Sequence, residues 1–208
     1  MNKSIELHGA RTGNCLRVSI ALEEAEIFYT VVLMDLSGGQ QRDPAHLALN
    51  PAGKVPTIID RSGVGPEFVL SQSNAILFYL AEKAPGKLLA ASDLRQKAIA
   101  YERFFYFLTD VIALSHDAFR LRNTKGGSGS EALDLQALSM LKAAERFLLE
   151  STFMAGNSFT LADIAALTIT LAYEREINWD QSPRMSRWFE AVMARPAVQR
   201  GLKAFNSP

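Results

Sequence analysis

Apolar residues recur through the first 84 residues at two spacings, every second residue and every third or fourth, and the two patterns take turns. Ile5-Glu6-Leu7-His8 alternates and predicts a strand, followed by a turn over Gly9 to Gly13. Between Asn14 and Ala25, the positions Cys15, Val18, Leu22 and Ala25 share one face of a predicted helix. Phe28 to Leu33, rich in β-branched and aromatic residues, predicts a second strand. Thr57 to Ile59 and Phe68 to Leu70 flank the turn residues Arg61 to Pro66, a hairpin signature. Ser73 to Lys83 reads as a helix stopped near Pro85-Gly86. The order β-α-β-loop-β-β-α joins one crossover unit to one hairpin, so a mixed sheet is expected.

From about Ser92 onward only the helical spacing survives. Asp93 to Leu121 is one long amphipathic run carrying Tyr101 and Phe104 to Phe107, aromatics on all sides of the helix, which implies burial on more than one side. Asn123 to Ser130, rich in glycine and serine, is expected to be a flexible link before a second helix over Glu131 to Glu150. Phe159-Thr160-Leu161-Ala162-Asp163-Ile164 opens a third helix: Thr160 and Asp163 form a capping box, and Phe159 is placed to staple onto Ile164. Pro183 to Ala194 and Pro196 to Phe205 close the chain, each with proline near its first turn. The expected organisation is an α/β domain over 1–84, a linker over 85–91 and an all-helical domain over 92–208.

Composition narrows the partners. With 208 residues and a formal net charge of zero, the chain has ample core and gives no reason to expect nucleic-acid binding or a strongly basic surface for membranes. A single cysteine, Cys15, excludes an internal disulfide and suits a reducing compartment. Met1 to Leu7 lacks a signal-peptide core, and the longest apolar stretch, Leu161 to Tyr173, is too short for a bilayer. A soluble cytoplasmic protein is expected, and no histidine, cysteine and carboxylate spacing suggests a metal site.

The candidate chemistry lies in three short stretches. Asn50-Pro51-Ala52-Gly53-Lys54-Val55-Pro56 ends in an X–Pro bond, the kind that readily goes cis. A cis bond there would turn the N–H and C=O of Val55 outward, like a short strand waiting for a peptide. Gln72-Ser73 sits at a helix start, where backbone amides and the helix dipole receive a carboxylate. A strand-like edge beside an anion cradle suits a small acidic peptide. Each stretch alone is also an ordinary turn or cap; order and separation favour the joint reading. Cys15 at a helix start is either a reactive thiol or, as its periodicity favours, a small core residue. His8 reads as structural, His46 as lying in a polar loop without a partner, and His116 with Arg120 as a solvated helix face.

These stretches, with Arg11-Thr12-Gly13-Asn14-Cys15, Arg17-Val18, Gln72-Ser73-Asn74-Ala75-Ile76 and Phe159 to Asp163, make the chain resemble a cytosolic glutathione transferase of bacterial type over essentially its whole length. The resemblance implies a thioredoxin-like N-terminal domain, an all-helical C-terminal domain and a homodimer. It implies glutathione as co-substrate, no metal, and conjugation to small hydrophobic electrophiles in detoxification. Val55 is then expected to pair with the cysteinyl part of glutathione, Gln72 and Ser73 to hold the γ-glutamyl end, and Lys54 and Gln41 to face the glycyl carboxylate. Asp163 is expected to serve folding. Thr12, Asn14 and Cys15 stand where the family activates the thiol, and threonine replaces the more usual serine or tyrosine. A free thiol titrates near pKa ~8.5, so lowering it by about one or two units, roughly 1.4–2.8 kcal/mol, makes thiolate at neutral pH. Uncharged donors such as the Thr12 hydroxyl and the Asn14 amide reach that figure without acting as bases. Two alternatives stay open: glutathione-dependent disulfide or peroxide reduction, and a non-catalytic interaction module.

Overall fold

The computed structural model describes residues 5–63, 65–124 and 129–206. Val64 of the hairpin turn and residues 125–128 of the glycine-rich link lie outside the described residues. The chain divides into two compact units between Leu88 and Leu89, and from Arg195 onward it returns to the first.

The first unit holds β1 (Ile5–Gly9), α1 (Gly13–Glu24), β2 (Tyr29–Leu33), a 3₁₀ turn (Gln40–Arg42), α2 (Pro44–Leu49), β3 (Thr57–Asp60), β4 (Phe68–Ser71), α3 (Ser73–Lys83) and, from the far end of the chain, α9 (Pro196–Lys203). The sheet order is β2-β1-β3-β4. β1 runs parallel to β2 and antiparallel to β3, and β3 to β4, the mixed sheet that the crossover and hairpin signals predict. Ile5 and Leu7 alternate into the core, while all of β3 is buried. That includes Asp60, a carboxylate inside the sheet. Burial disfavours its charge, but bonds from Ser62, Tyr79 (2.5 Å) and Lys83 (2.9 Å) outweigh it and hold the carboxyl below the usual range.

Two elements depart from the sequence reading. Residues 40–49, expected as loop, form the 3₁₀ turn and α2, with Pro44 at the first helical turn after Asp43. The segment 196–205, assigned by sequence to the helical half, packs as α9 on α1. Gly201 makes this approach possible: a Cβ there would lie 2.6 Å from Ile20 Cα and 2.7 Å from Ile20 N. The Ser19 hydroxyl donates to the Gly201 carbonyl at 2.7 Å, and Arg195 clamps Glu24 through two bonds of 2.6 and 2.7 Å. Because the obstacle is backbone, Gly201→Ala is expected to cost about 2 kcal/mol of stability by pushing α9 off α1. Thermal unfolding of that variant beside Gly201→Ser, which should be worse, measures it.

The second unit is helical: α4 (Leu94–Tyr106), a π-helical segment (Phe107–Ile112), α5 (Ala113–Arg122), α6 (Ser130–Ala143) with a 3₁₀ end (Ala144–Leu148), α7 (Leu161–Thr170), a 3₁₀ turn (Trp179–Gln181) and α8 (Pro183–Met193). The run expected as one helix over 93–121 is helical throughout but widens at 107–112, turning Phe107, Val111 and Ile112 into the core. Of its aromatics Phe104 and Phe107 are fully buried and the Tyr106 hydroxyl donates to the Met140 carbonyl at 2.6 Å, while Phe105 remains half exposed. Every residue of α7 is buried, and the Thr160–Asp163 capping box opens it as expected. Among the described residues no helix is long and apolar enough to cross a membrane.

Candidate functional site

Sheet register brings the three candidate stretches together. The pair His8–Thr57 sets the carboxyl end of β1 beside the amino end of β3, and Thr57–Ser71 brings the carboxyl end of β4 to the same point. The β1–α1 turn, the loop into β3 and the β4–α3 turn therefore leave the sheet at one end.

The loop into β3 contains a cis Val55-Pro56 bond. Its carbonyl at Lys54 is held from below by Asn50 Nδ2 at 2.7 Å and His46 Nε2 at 3.0 Å. Asn50 Oδ1 also accepts the Ala52 N–H at 3.2 Å, closing the turn. Gly53 has φ of 57°, and a Cβ there would meet Arg42 Nη1 at 2.8 Å and the Gln41 carbonyl at 3.0 Å. That close approach puts Gln41 alongside the loop, its Oε1 buried and without a hydrogen-bond partner among the described residues. The Lys54 side chain is exposed, and Val55 is half-buried, its backbone N–H and C=O taking no hydrogen bond among the described residues. His46 corrects the sequence reading. It is 3% exposed rather than in a polar loop, because α2 turns its ring inward to the Lys54 carbonyl.

The β1–α1 turn places Thr12 as N-cap of α1, its hydroxyl oxygen accepting the Cys15 N–H at 3.3 Å. Cys15 is fully buried beneath Gly9 and Phe205: a Cβ on Gly9 would lie 3.0 Å from its Sγ and 2.8 Å from Phe205 Cε1. Burial pushes the Cys15 thiol pKa up, against hydrogen bonds from Thr12 and Ala10 and the charge of Arg17. This is the packed core residue that its helical periodicity favours.

The β4–α3 turn passes through Gln72 with φ of 74° and ψ of 106°, left-handed backbone that a side chain rarely adopts. Such strain clusters at binding sites. Gln72 is exposed, and Ser73 next to it is 5% exposed at the first position of α3. Arg17, from the buried face of α1, reaches across: Nη1 donates to Ser73 Oγ at 3.1 Å, Asn14 Oδ1 at 3.0 Å and Asn74 Oδ1 at 3.4 Å. Burial lowers the Arg17 pKa to about 10, which leaves it cationic at neutral pH. The result is a lined edge: an open backbone segment at Val55, a helix N-terminus at Ser73 with positive charge behind it, and a hydroxyl at Thr12.

A sequence model described as the glutathione S-transferase N-terminal domain matches residues 3–82, and the corresponding C-terminal domain matches residues 113–196. Glutathione S-transferase 3 of Zea mays is 31% identical over 209 residues, covering 94% of this chain and 91% of the relative. The chain belongs to the glutathione S-transferase family. Within it, the disulfide-bond oxidoreductase YfcG of Escherichia coli (strain K12) is 28% identical over 204 residues, covering 95% of this chain and 94% of that one. A solved glutathione transferase homolog from Lodderomyces elongisporus, with two GSH per subunit, superposes with a TM-score of 0.86 at 27% identity, covering 97% of this chain and 98% of the other.

In this family member, sequence reasoning missed three residues that hold the edge in place. Asn50 closes its own turn through Ala52 and Lys54, within the motif, whereas the reach of Arg17 to Ser73 is not readable locally. His46 had the signal Asp43-Pro44, a cap followed by a first-turn proline, which starts α2 and turns the ring inward. Among the described residues no group of three or more histidine, cysteine, aspartate or glutamate side chains is placed to hold a metal.

Proposed function

We propose that the chain binds glutathione along this edge, stabilises its thiolate and conjugates it to small hydrophobic electrophiles as a cytoplasmic homodimer. The observation that carries the reading is the backbone of Val55, without a hydrogen-bond partner among the described residues, at the same sheet end as the α3 N-terminus. The N–H and C=O of Val55 pair with the cysteinyl residue of glutathione, as an added strand would. Ser73 and the first amides of α3 receive the γ-glutamyl carboxylate, with Gln72 beside them. Lys54 and Gln41 face the glycyl carboxylate, Lys54 as an exposed cation and Gln41 through its amide. The glutathione sulfur then lies toward the Thr-Gly-Asn-Cys turn. The Thr12 hydroxyl and the Asn14 amide donate to it and stabilise the thiolate without taking a proton. Cys15 supports the turn from beneath, and the thiol that reacts belongs to glutathione.

A second reading, glutathione-dependent disulfide reduction, is favoured by the similarity to an oxidoreductase and to a structure holding two GSH per subunit. Here too Cys15 is too buried to form a mixed disulfide. The bound glutathione thiolate would attack the substrate disulfide and release its thiol, and a second glutathione would complete the exchange.

Calorimetric titration of the intact dimer with reduced and oxidised glutathione tests the binding. Turnover of an aryl halide against that of a glutathione mixed disulfide separates the two chemistries. No binding of either form would leave a non-catalytic interaction module. Cys15→Ala should keep turnover within about threefold of wild type in both assays, since only thiolates react and a buried, neutral thiol contributes none. A hundredfold loss in the disulfide assay alone would put Cys15 into the exchange.

A further inference from the structure

One nitrogen of Arg17 holds both ends of the edge. Nη1 carries two hydrogens and faces three oxygens, Asn14 Oδ1 at 3.0 Å, Ser73 Oγ at 3.1 Å and Asn74 Oδ1 at 3.4 Å. The two shorter contacts take the hydrogens, and Asn74 shares what remains. All three of these partners are neutral, and the side chain is 3% exposed.

The donor's chemistry decides what those partners can do next. An arginine nitrogen only donates, so it fixes Asn14 with its amide oxygen inward and its NH₂ group away from Arg17. In the same way it occupies a lone pair of Ser73 Oγ and leaves that hydroxyl proton to point elsewhere. We propose that Arg17 is the positioning residue of the site: by taking the acceptor oxygens of Asn14 and Ser73 on one nitrogen, it turns both outward as donors, one toward the glutathione sulfur and one toward the γ-glutamyl carboxylate. This rests on the glutathione-binding reading above and adds what orients its two ends. Arg17 itself touches neither the sulfur nor the carboxylate. Its buried charge lies behind both anions and favours them through a medium less screening than water. The Cys15 thiol is a titratable neighbour that bears on Arg17, and burial keeps it neutral.

The test uses the complex with reduced glutathione, following thiolate absorbance against pH, and the affinity for S-methylglutathione, which has no thiol to ionise. In Arg17→Met, which keeps the volume and removes every donor, the bound thiol pKa should rise by about one unit, a tenfold loss of thiolate at fixed pH. Affinity for S-methylglutathione should fall about tenfold as Ser73 loses its orientation. Arg17→Lys, with the charge but without the planar fork, should recover the thiol pKa more than the affinity. A merely structural arginine would lower thermal stability and leave both readouts unchanged in the folded complex, and that result overturns the proposal. In the wild-type protein, the Asn14 side-chain NH₂ resonances should shift more with reduced glutathione than with S-methylglutathione. Equal shifts would overturn it without any variant. If wild-type protein binds no glutathione, the functional reading fails first; if it binds and these readouts stay still, only the role of Arg17 fails.

Discussion

Asp163→Ala is expected to cost about 4 kcal/mol of folding stability, enough to leave much of the protein unfolded at 37 °C. The carboxylate is fully buried and serves as the hub of the second unit. Oδ1 accepts the Met154 N–H at 2.8 Å and the Trp188 indole N–H at 2.9 Å; Oδ2 accepts the Thr160 N–H at 2.9 Å and its hydroxyl at 3.2 Å. Truncation strands these donors together, each worth roughly 1 kcal/mol or more when left unpaired. It also undoes the capping box of α7, every residue of which is buried. Asp163→Asn keeps one acceptor and turns an NH₂ group toward the donors of the other, so a smaller loss is expected. The pH dependence has a definite sign. Burial pushes the Asp163 carboxyl up to about 6, against its four hydrogen bonds. A raised folded-state value means that the folded protein holds this proton more tightly than the unfolded chain. The contribution of Asp163 is therefore greatest below about pH 4 and is lost as pH rises through 6. Urea midpoints at pH 5 and pH 7.5 check this: wild type should show a decline that Asp163→Asn lacks, superposed on the titration of the remaining carboxylates. An equal slope in both proteins would assign the decline to other groups.

How far the sequence reaches depends on how local each signal is. Ile5 to His8, the hairpin around Arg61 to Pro66, and Thr160 with Asp163 declare themselves within a few residues, through alternation, turn chemistry and a cap, and each stands in the structure. The motif around Val55-Pro56 was readable because proline alone makes a cis bond accessible, and the bond is cis. The six residues of α2 are too few for a helical period to emerge. Only Asp43-Pro44 marks its start, so the sequence pattern alone reads His46 as loop. The π-helical widening at 107–112 follows from which aromatic faces find partners, a matter of packing that spacing does not encode. Gly201 and Ser19 meet across 182 positions, so nothing near either of them reveals that α9 belongs with α1. Arg17 is the same case within the candidate site. Its motif position was visible, but its work is defined by Ser73, 56 residues on. The residues proposed to meet glutathione lie in short motifs, and the contact that ties two of those motifs together, Arg17 to Ser73, spans the long separation.

Ser73→Ala should weaken reduced glutathione binding about a hundredfold, close to 2.7 kcal/mol, because a hydrogen bond to a charged group in a sheltered site is worth roughly 1.5–3 kcal/mol. The hydroxyl is 5% exposed and its oxygen is already engaged by Arg17 at 3.1 Å, so its proton is free to donate to the γ-glutamyl carboxylate. Binding does not vanish, since the first amides and the dipole of α3 still favour an anion by about 0.3–1 kcal/mol. Stability should change by less than about 1 kcal/mol: Arg17 keeps Asn14 and Asn74, and alanine suits the first turn of a helix. That contrast separates a binding role from a folding role. Ser73→Thr, which restores a hydroxyl, should recover part of the affinity, whereas Asn74→Ala, removing the longest of the three Arg17 contacts, should cost less than tenfold. Isothermal titration with reduced glutathione reads all three variants. An affinity for Ser73→Ala within threefold of wild type would move the γ-glutamyl carboxylate off this helix end. It would leave Gln72, held in left-handed backbone beside it, without the ligand that its strain is proposed to serve.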